Sequence, residues 1–289
     1  MKNRWLLNIG LALFIVGLLV WVHLRPPGRH KHPHYPALTA LKPAGITRIR
    51  LSRPGHRILV IAKSGSGWHM TQPVSARADR FRVADLLHVT DASVHDSFTV
   101  PAAELGKYGL TTPLATLWLN HQKIEFGDEN ALGGLQYVLY RGRVALIPAY
   151  SFNPASMQID NFYSSRLIEK NRKPVAFVFP KFRLTSHQGV WHLEPPDPHL
   201  SSDAVNSFVD EWRYARALSV SRYHGAKVAG QVLITYRDRV AHGANVPHTL
   251  VIDIIERAPE LVLYRPDEGL EYHFPAQMGR HLLSLLASH

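Results

Sequence analysis

The sequence predicts an α+β protein: an N-terminal transmembrane helix followed by two tandem α+β repeats, each of antiparallel strands packed with helices. Three observations carry this. An uninterrupted apolar run stands at the N-terminus. A short tryptophan-containing stretch occurs twice, as Gly67-Trp68-His69-Met70-Thr71-Gln72-Pro73 and Gly189-Val190-Trp191-His192-Leu193-Glu194-Pro195-Pro196. Each copy is flanked by short apolar runs separated by turn residues and is followed by a single helical stripe. Trp68 to Trp191 and Pro73 to Pro196 are both 123 positions, and Asp79 to Asp203 is 124. A period kept this closely marks one structural unit per copy. The predicted organisation is residues 1–24 as a transmembrane signal anchor, 25–44 as a Pro/His-rich linker, 45–171 as the first repeat and 172–289 as the second.

Trp5 to Val22 is 18 residues long with Asn8 as its clearly polar member, about the length needed to cross a hydrocarbon layer of roughly 30 Å. Trp5 and Trp21 stand near its ends, where indoles favour the membrane interface. Lys2 and Arg4 ahead of an apolar run also begin a signal peptide, but His23-Leu24-Arg25-Pro26-Pro27 offers no small-x-small cleavage site. An uncleaved anchor is expected, with the lipid bilayer as a partner through this helix. Basic residues nearly balance across the run, so charge does not orient it. The short leader and large following body match a signal-anchor layout. That places the protein in the inner (cytoplasmic) membrane, single-pass, with its body periplasmic.

The linker carries Pro26, Pro27, Pro33, Pro36 and Pro43, which favour an extended spacer. His30, His32 and His34 lie within it; they suit either metal ligation or a solvated cationic tether near anionic headgroups.

In the first repeat, Ile46 to Leu51 and Arg57 to Ala62 flank the Ser52-Arg53-Pro54-Gly55 turn and read as a hairpin. Lys63 to Gly67 turns into a third strand at Trp68 to Met70; its GxG lacks the third glycine and following helix of a phosphate loop. Asp79 is placed to cap a helix whose Val83, Leu86, Leu87 and Thr90 share one face. A loop at Tyr108-Gly109-Leu110-Thr111-Thr112-Pro113 precedes strands at Ala115–Leu119, Gln122–Phe126, Leu135–Tyr140 and Arg143–Ile147. Asn120-His121 and Arg141-Gly142 are hairpin turns. Phe152 to Ile159 and Phe162 to Lys170 are expected to be helical.

The second repeat opens with Val175–Phe179, Phe182–Ser186 and Val190–Leu193 as strands. Its helix has Val205, Phe208, Val209 and Trp212 on one face and Asp203 as expected cap. This stripe is offset by 122 from the first, while the acids are offset by 124. Strands follow at Gln231–Tyr236, Thr249–Glu256, Glu260–Tyr264 and Leu270–Phe274. A helix over Pro275–Ala287, with Met278, Leu282, Leu283 and Leu286 inward, ends the chain.

Net charge is +11, of which the first 44 residues supply +6, so the remaining body carries +5 and no nucleic-acid partner is expected. The absence of cysteine excludes disulfides, thiolate catalysis and Cys-ligated zinc. No HExxH, GxSxG, Walker or calcium-loop motif occurs, and no cofactor is implied. Trp68 and Trp191 are expected in the core with His69 and His192 outward. Asp128-Glu129 reads as part of a turn over Gly127 to Asn130, and Asp253 with Glu256 as carboxylates on opposite faces of a strand.

With Trp68, Pro73, Asp79 and Tyr108-Gly109-Leu110-x-x-Pro113 in place, the chain resembles the DUF4340 family over roughly residues 45 to 285. The resemblance implies a membrane-anchored bacterial envelope protein, some members resembling accessory components of ABC-type transporters. It implies no catalytic residues. Tyr223-His224-Gly225 in the second repeat lacks the leucine and proline of that loop. Tyr108, Gly109, Leu110 and Pro113 therefore form the candidate interaction loop. The expected function is a non-catalytic binding or accessory module with a membrane-protein partner. An enzyme acting on an envelope polymer between the repeats is the alternative, and polyanion binding ranks below both because the body is only modestly basic.

Overall fold

The computed structural model describes residues 3–24, 35–65, 67–131, 133–238 and 247–285. The chain divides into two compact units, Met1–Pro36 and Ala37–His289. The first contains helix α1, Asn3–Leu24. Among the described residues no helix is long and apolar enough to cross a membrane. The anchor expected at Trp5 to Val22 therefore stays an expectation. His30, His32 and His34 lie outside the described residues.

The second unit takes in the end of the segment read as linker. Leu38 and Thr39 are buried; the Leu38 amide donates to the Ala92 carbonyl at 2.9 Å and Thr39 Oγ1 to the Thr90 carbonyl at 3.2 Å. Burying these backbone groups requires such partners, so the body begins near Ala37 rather than residue 45.

The body is α+β, with two wholly antiparallel sheets. The first is formed by β1 (Arg48–Ser52), β2 (Leu59–Ser64), β3 (Gly67–Gln72), β4 (Ala76–Arg77), β5 (Asp96–Phe98), β6 (Ala115–Leu119), β7 (Gln122–Glu129), β8 (Leu135–Tyr140) and β9 (Arg143–Pro148). Their spatial order is β4-β3-β2-β1-β6-β7-β8-β9-β5. The second sheet comprises β10 (Arg172–Val178), β11 (Arg183–His187), β12 (Val190–Glu194), β13 (Ser219–Arg222), β14 (Gly230–Asp238), β15 (Pro247–Glu256), β16 (Leu261–Arg265) and β17 (Leu270–Phe274). Its order is β12-β11-β10-β14-β15-β16-β17-β13. With β4 set aside, the two orders agree strand for strand.

Alternation fixes which faces are buried: Ala115, Leu117 and Leu119 of β6 point inward while Thr116 and Trp118 are half-exposed. The hairpin turns use left-handed residues, Asn120 at φ 53° and Arg141 at φ 50°. Asn120 also accepts from the Thr47 and Arg48 amides through Oδ1, at 2.9 and 3.1 Å, tying the β6–β7 turn to β1. Such a side chain tolerates this backbone better than a branched one.

Helix α2 (Arg80–Leu87) buries Val83, Leu86 and Leu87 and is capped by Asp79, whose carboxylate accepts from the Phe81 and Arg82 amides. A four-residue α3 (Asn153–Ser156) follows the first sheet. Helix α4 (Ser202–Tyr214) buries Val205, Phe208, Val209 and Trp212, as its stripe predicts. Its cap is Ser201, which accepts from the Ala204 amide, and not Asp203, which lies within the first turn. A hydroxyl caps as well as a carboxylate, and Asp79 to Ser201 is 122 positions, the offset of the buried stripe. Ser201→Ala is expected to cost about 1 kcal/mol, and Asp203→Ala less because it removes only a helix-dipole contribution. Urea denaturation of the two variants checks this; equal losses would contradict it.

Two predicted helices are corrected. Phe152 to Ile159 retains only α3 and flanking 3₁₀ turns, and Phe162 to Lys170 is an irregular segment with no helix beyond the 3₁₀ turn that ends at Phe162. Gly127 to Asn130 is not a simple turn: Gly127 to Glu129 lie within β7, at a register shift against β8 between Phe126 and Glu129. The final helix, α5, spans Ala276–Leu283, and Leu286 lies outside the described residues.

Candidate functional site

The irregular segment from residue 163 to 171 joins the two sheets, and the site is built around it. Tyr163, Leu167 and Ile168 are buried, so its backbone needs partners from elsewhere in the chain. The Ser164 amide donates to the Arg77 carbonyl at 2.9 Å and the Leu167 amide to the Ala215 carbonyl at 3.1 Å. Tyr163 bridges Ala78, and Arg166 bridges Arg216, both antiparallel. The carbonyls of residues 166 and 167 are left to face two arginines.

Arg77, on the edge strand β4, reaches across this segment to the β16–β17 turn. Its Nε donates to Glu268 Oε1 at 2.6 Å, and its Nη2 to Glu268 Oε2 at 3.1 Å, to the Arg166 carbonyl at 2.8 Å and to Tyr272 Oη at 2.9 Å. Gly269, at φ 65°, lets that turn fold back, and the Tyr272 hydroxyl donates to Glu268 Oε2. Arg265, whose side chain is fully buried, donates through Nη1 to the Leu167 carbonyl at 2.7 Å and through Nη2 to Glu169 Oε1 at 3.2 Å and to Asp267. Glu169 Oε2 lies 2.9 Å from Arg172 Nη1 without hydrogen-bond alignment.

Burial disfavours the Glu268 carboxylate, but Arg77 and Arg265 outweigh it and hold the group at a pKa of about 2. Burial pushes the Tyr272 hydroxyl up, and Glu268 adds to that, against the opposing pull of Arg77. Burial opposes the charge on Arg77, yet Tyr272, Glu268 and Glu169 raise its pKa further. The network joins the two sheets as fixed charges.

Two adjoining cavities open beside it. One, of about 550 Å³, is lined by Ser64, Trp68, His69, Arg77, Glu169 and Lys170, among others. The other, of about 250 Å³, shares Gly67, Trp68, Arg77, Glu169 and Lys170 with the first and adds Arg80, Phe81, Arg166 and Arg216. Trp68 was expected in the core; it packs on the core but is only half-buried, and its free side forms a wall of both cavities. His69 Nε2 lies 3.1 Å from Ser75 Oγ. Trp191, also half-buried, packs against Phe177 at 5.8 Å between ring centroids.

The Tyr108–Pro113 loop sits away from these cavities. Tyr108 packs on Phe98 and Tyr137, at ring separations of 5.4 and 4.9 Å, and Leu110 is buried. Gly109 ends a 3₁₀ turn in the left-handed region, and a Cβ there would meet Asp128. A Cβ on Gly127 would lie 2.1 Å from the Tyr108 carbonyl oxygen. Gly127→Ala must therefore displace the loop, at an expected cost of about 1–3 kcal/mol. Thermal denaturation checks this, and an unchanged midpoint would contradict it. Asp253 is buried and accepts from Gln231 Nε2 at 2.9 Å, while Glu256 is exposed beyond a register shift. His224 Nδ1 faces Glu271 at 3.2 Å and Tyr223 stacks on Tyr264. Among the described residues, no group of three His, Asp or Glu is disposed to hold a metal ion.

The sequence suggests a site between the repeats but not the residues that build it. Arg77 and Glu268 are 191 residues apart, and neither belongs to a motif.

Fold and site define a two-sheet α+β protein with an ion-paired junction and an open cleft beside it. The chain belongs to the DUF4340 family: the family model, described as a domain of unknown function, matches residues 68–221. The match runs from β3 to β13 and contains Trp68, Arg77, Arg166 and Arg216. No curated protein and no solved structure matches the chain.

Proposed function

We propose that this is an N-terminally anchored envelope protein whose body is two tandem copies of one α+β unit. It acts as a binding or accessory module, at the cleft between the copies, in a membrane assembly of the ABC-transporter type. The duplication is supported by the shared strand order and by the constant offset of cap and helical stripe. The anchor is supported by the apolar run from Trp5 to Val22 within α1.

The observation that carries the binding reading is the charge state of the junction. A carboxylate at a pKa of about 2 and a tyrosine pushed upward do not exchange protons near neutrality, and an acid or base is most effective with a pKa close to the working pH. Buried beneath the cleft, these groups hold Arg77, which lines both cavities, as a fixed positive charge. The cleft is favoured over the Tyr108, Gly109, Leu110 and Pro113 loop as the principal contact because Leu110 is buried and Tyr108 is held between two aromatic rings.

Detergent extraction followed by affinity capture of the full chain is expected to bring down a membrane protein; recovery of none would overturn the accessory role. A reporter fused after His289 is expected to report from outside the cytoplasm. A cytoplasmic signal would overturn the localisation.

A further inference from the structure

The smaller cavity has a charge imbalance that the protein does not correct. Five cationic side chains line it, those of Arg77, Arg80, Arg166, Lys170 and Arg216, against two carboxylates, Asp79 and Glu169. Both carboxylates are already engaged. Asp79 caps α2, and Glu169 is shared among Arg77, Arg172 and Arg265. Arg77 is itself committed to Glu268. The remaining four cations make no ion pair with a carboxylate among the described residues: Arg80 lies over the Phe81 ring at 4.5 Å, and Arg216 Nη1 donates to Ser165 Oγ at 3.3 Å.

The backbone aggravates the imbalance. Arg166 and Arg216 are direct antiparallel partners, and residues directly opposite one another project to the same side, where like charges repel. Burial, then Arg216 and Arg80, push the pKa of Arg166 down, as expected for a half-buried cation among cations. Asp79 has already taken the amides at the start of α2, so the side chains, not the helix terminus, are free to bind.

We propose that this cavity binds a phosphate group, held by Arg166 and Arg216 with Arg80 and Lys170 closing around it. Guanidinium groups grip oxyanions through paired N–H donors. Cations arriving from three chain segments suit a tetrahedral anion better than a planar carboxylate. Trp68 and Phe81, the latter exposed in the same cavity, leave apolar walls for the organic part of a phosphate ester. The assignment rests on the binding-module reading and names its ligand class. The modest net charge of the body speaks against long polyanions, not against one phosphate held locally.

The full chain in detergent is titrated calorimetrically with sodium phosphate at constant ionic strength, against sodium chloride. Saturable binding at one site is expected, weakened at least tenfold by Arg166→Gln with Arg216→Gln. Without phosphate, that double variant is expected to melt above the wild type because the opposed cations are gone. Arg216→Lys, which keeps the charge but loses the fork, is expected to bind with intermediate affinity. Heats equal to the chloride blank, or equal affinity in wild type and double variant, would overturn the proposal. Repeating the titration in phosphatidylglycerol and phosphatidylcholine nanodiscs identifies the source. Blunting in the former alone assigns a lipid headgroup, and equal curves assign a soluble phosphate ester. Partner capture by the wild type separates the two readings: wild type that captures its partner but gives only blank heats with phosphate sinks the phosphate assignment alone, and wild type that binds phosphate but captures no partner sinks the accessory reading alone.

Discussion

Glu268→Ala is expected to destabilise the protein by about 3–5 kcal/mol, the range for removing one partner of a buried ion pair. Glu268 is 6% exposed and its carboxylate faces both Arg77, at 2.6 Å, and the fully buried Arg265, at 3.6 Å. Alanine would leave Arg77 with Glu169 at 3.5 Å, two backbone carbonyls and the Tyr272 hydroxyl, and would leave Tyr272 without an acceptor. Arg265 would keep Glu169 and Asp267, so the damage concentrates on Arg77. Replacing Arg77 and Glu268 together by Met is expected to cost much less than the sum of the single changes, since no isolated charge is then left buried. Equilibrium denaturation of the four proteins measures the coupling. Additive losses would mean that the two residues do not act as a pair.

This network explains what could and could not be read from sequence. Local periodicity located the hairpins β6–β9 and β16–β17, the stripes of α2 and α4, and the Asp79 cap, because each is determined by neighbours a few positions away. It failed between residues 162 and 170. There Phe162, Tyr163, Leu167 and Ile168 are spaced closely enough to imitate a helical face. Their burial instead comes from the two sheets on either side, and the segment's backbone pairs with residues 77, 79, 215 and 217. The same limit hid the ion pair, whose members come from the edge of one sheet and a turn of the other. Asp203 reads as a cap because acids and hydroxyls serve that role alike, and only geometry distinguishes Ser201. Gly127 reads as a turn residue in sequence, whereas its small size serves a close approach of the Tyr108 carbonyl to β7.

Acid is expected to undo the junction through the same carboxylate. The pKa of Glu268 falls from 4.5 to about 2 on folding, so the folded state binds its proton less readily than the unfolded chain does. A depressed carboxylate contributes stability that is fully present above about pH 4.5 and is lost as pH falls towards 2. At about 1.4 kcal/mol for each pH unit of difference, the contribution is on the order of 3 kcal/mol. The groups facing Glu268 are Arg77 from β4, Arg265 from β16 and Tyr272 from β17, with Glu169 nearby on the joining segment. None of the two arginines or the tyrosine changes protonation in this window, so the carboxylate itself supplies the slope. Asp160, whose pKa burial raises, contributes with the opposite sign, because its folded form favours the proton. The comparison that isolates Glu268 is Glu268→Gln, which retains shape and an acceptor oxygen without titrating. Urea midpoints between pH 6 and 3 are expected to fall more steeply for the wild type than for Glu268→Gln. Parallel curves would mean that the junction carboxylate is not held ionised by its arginines.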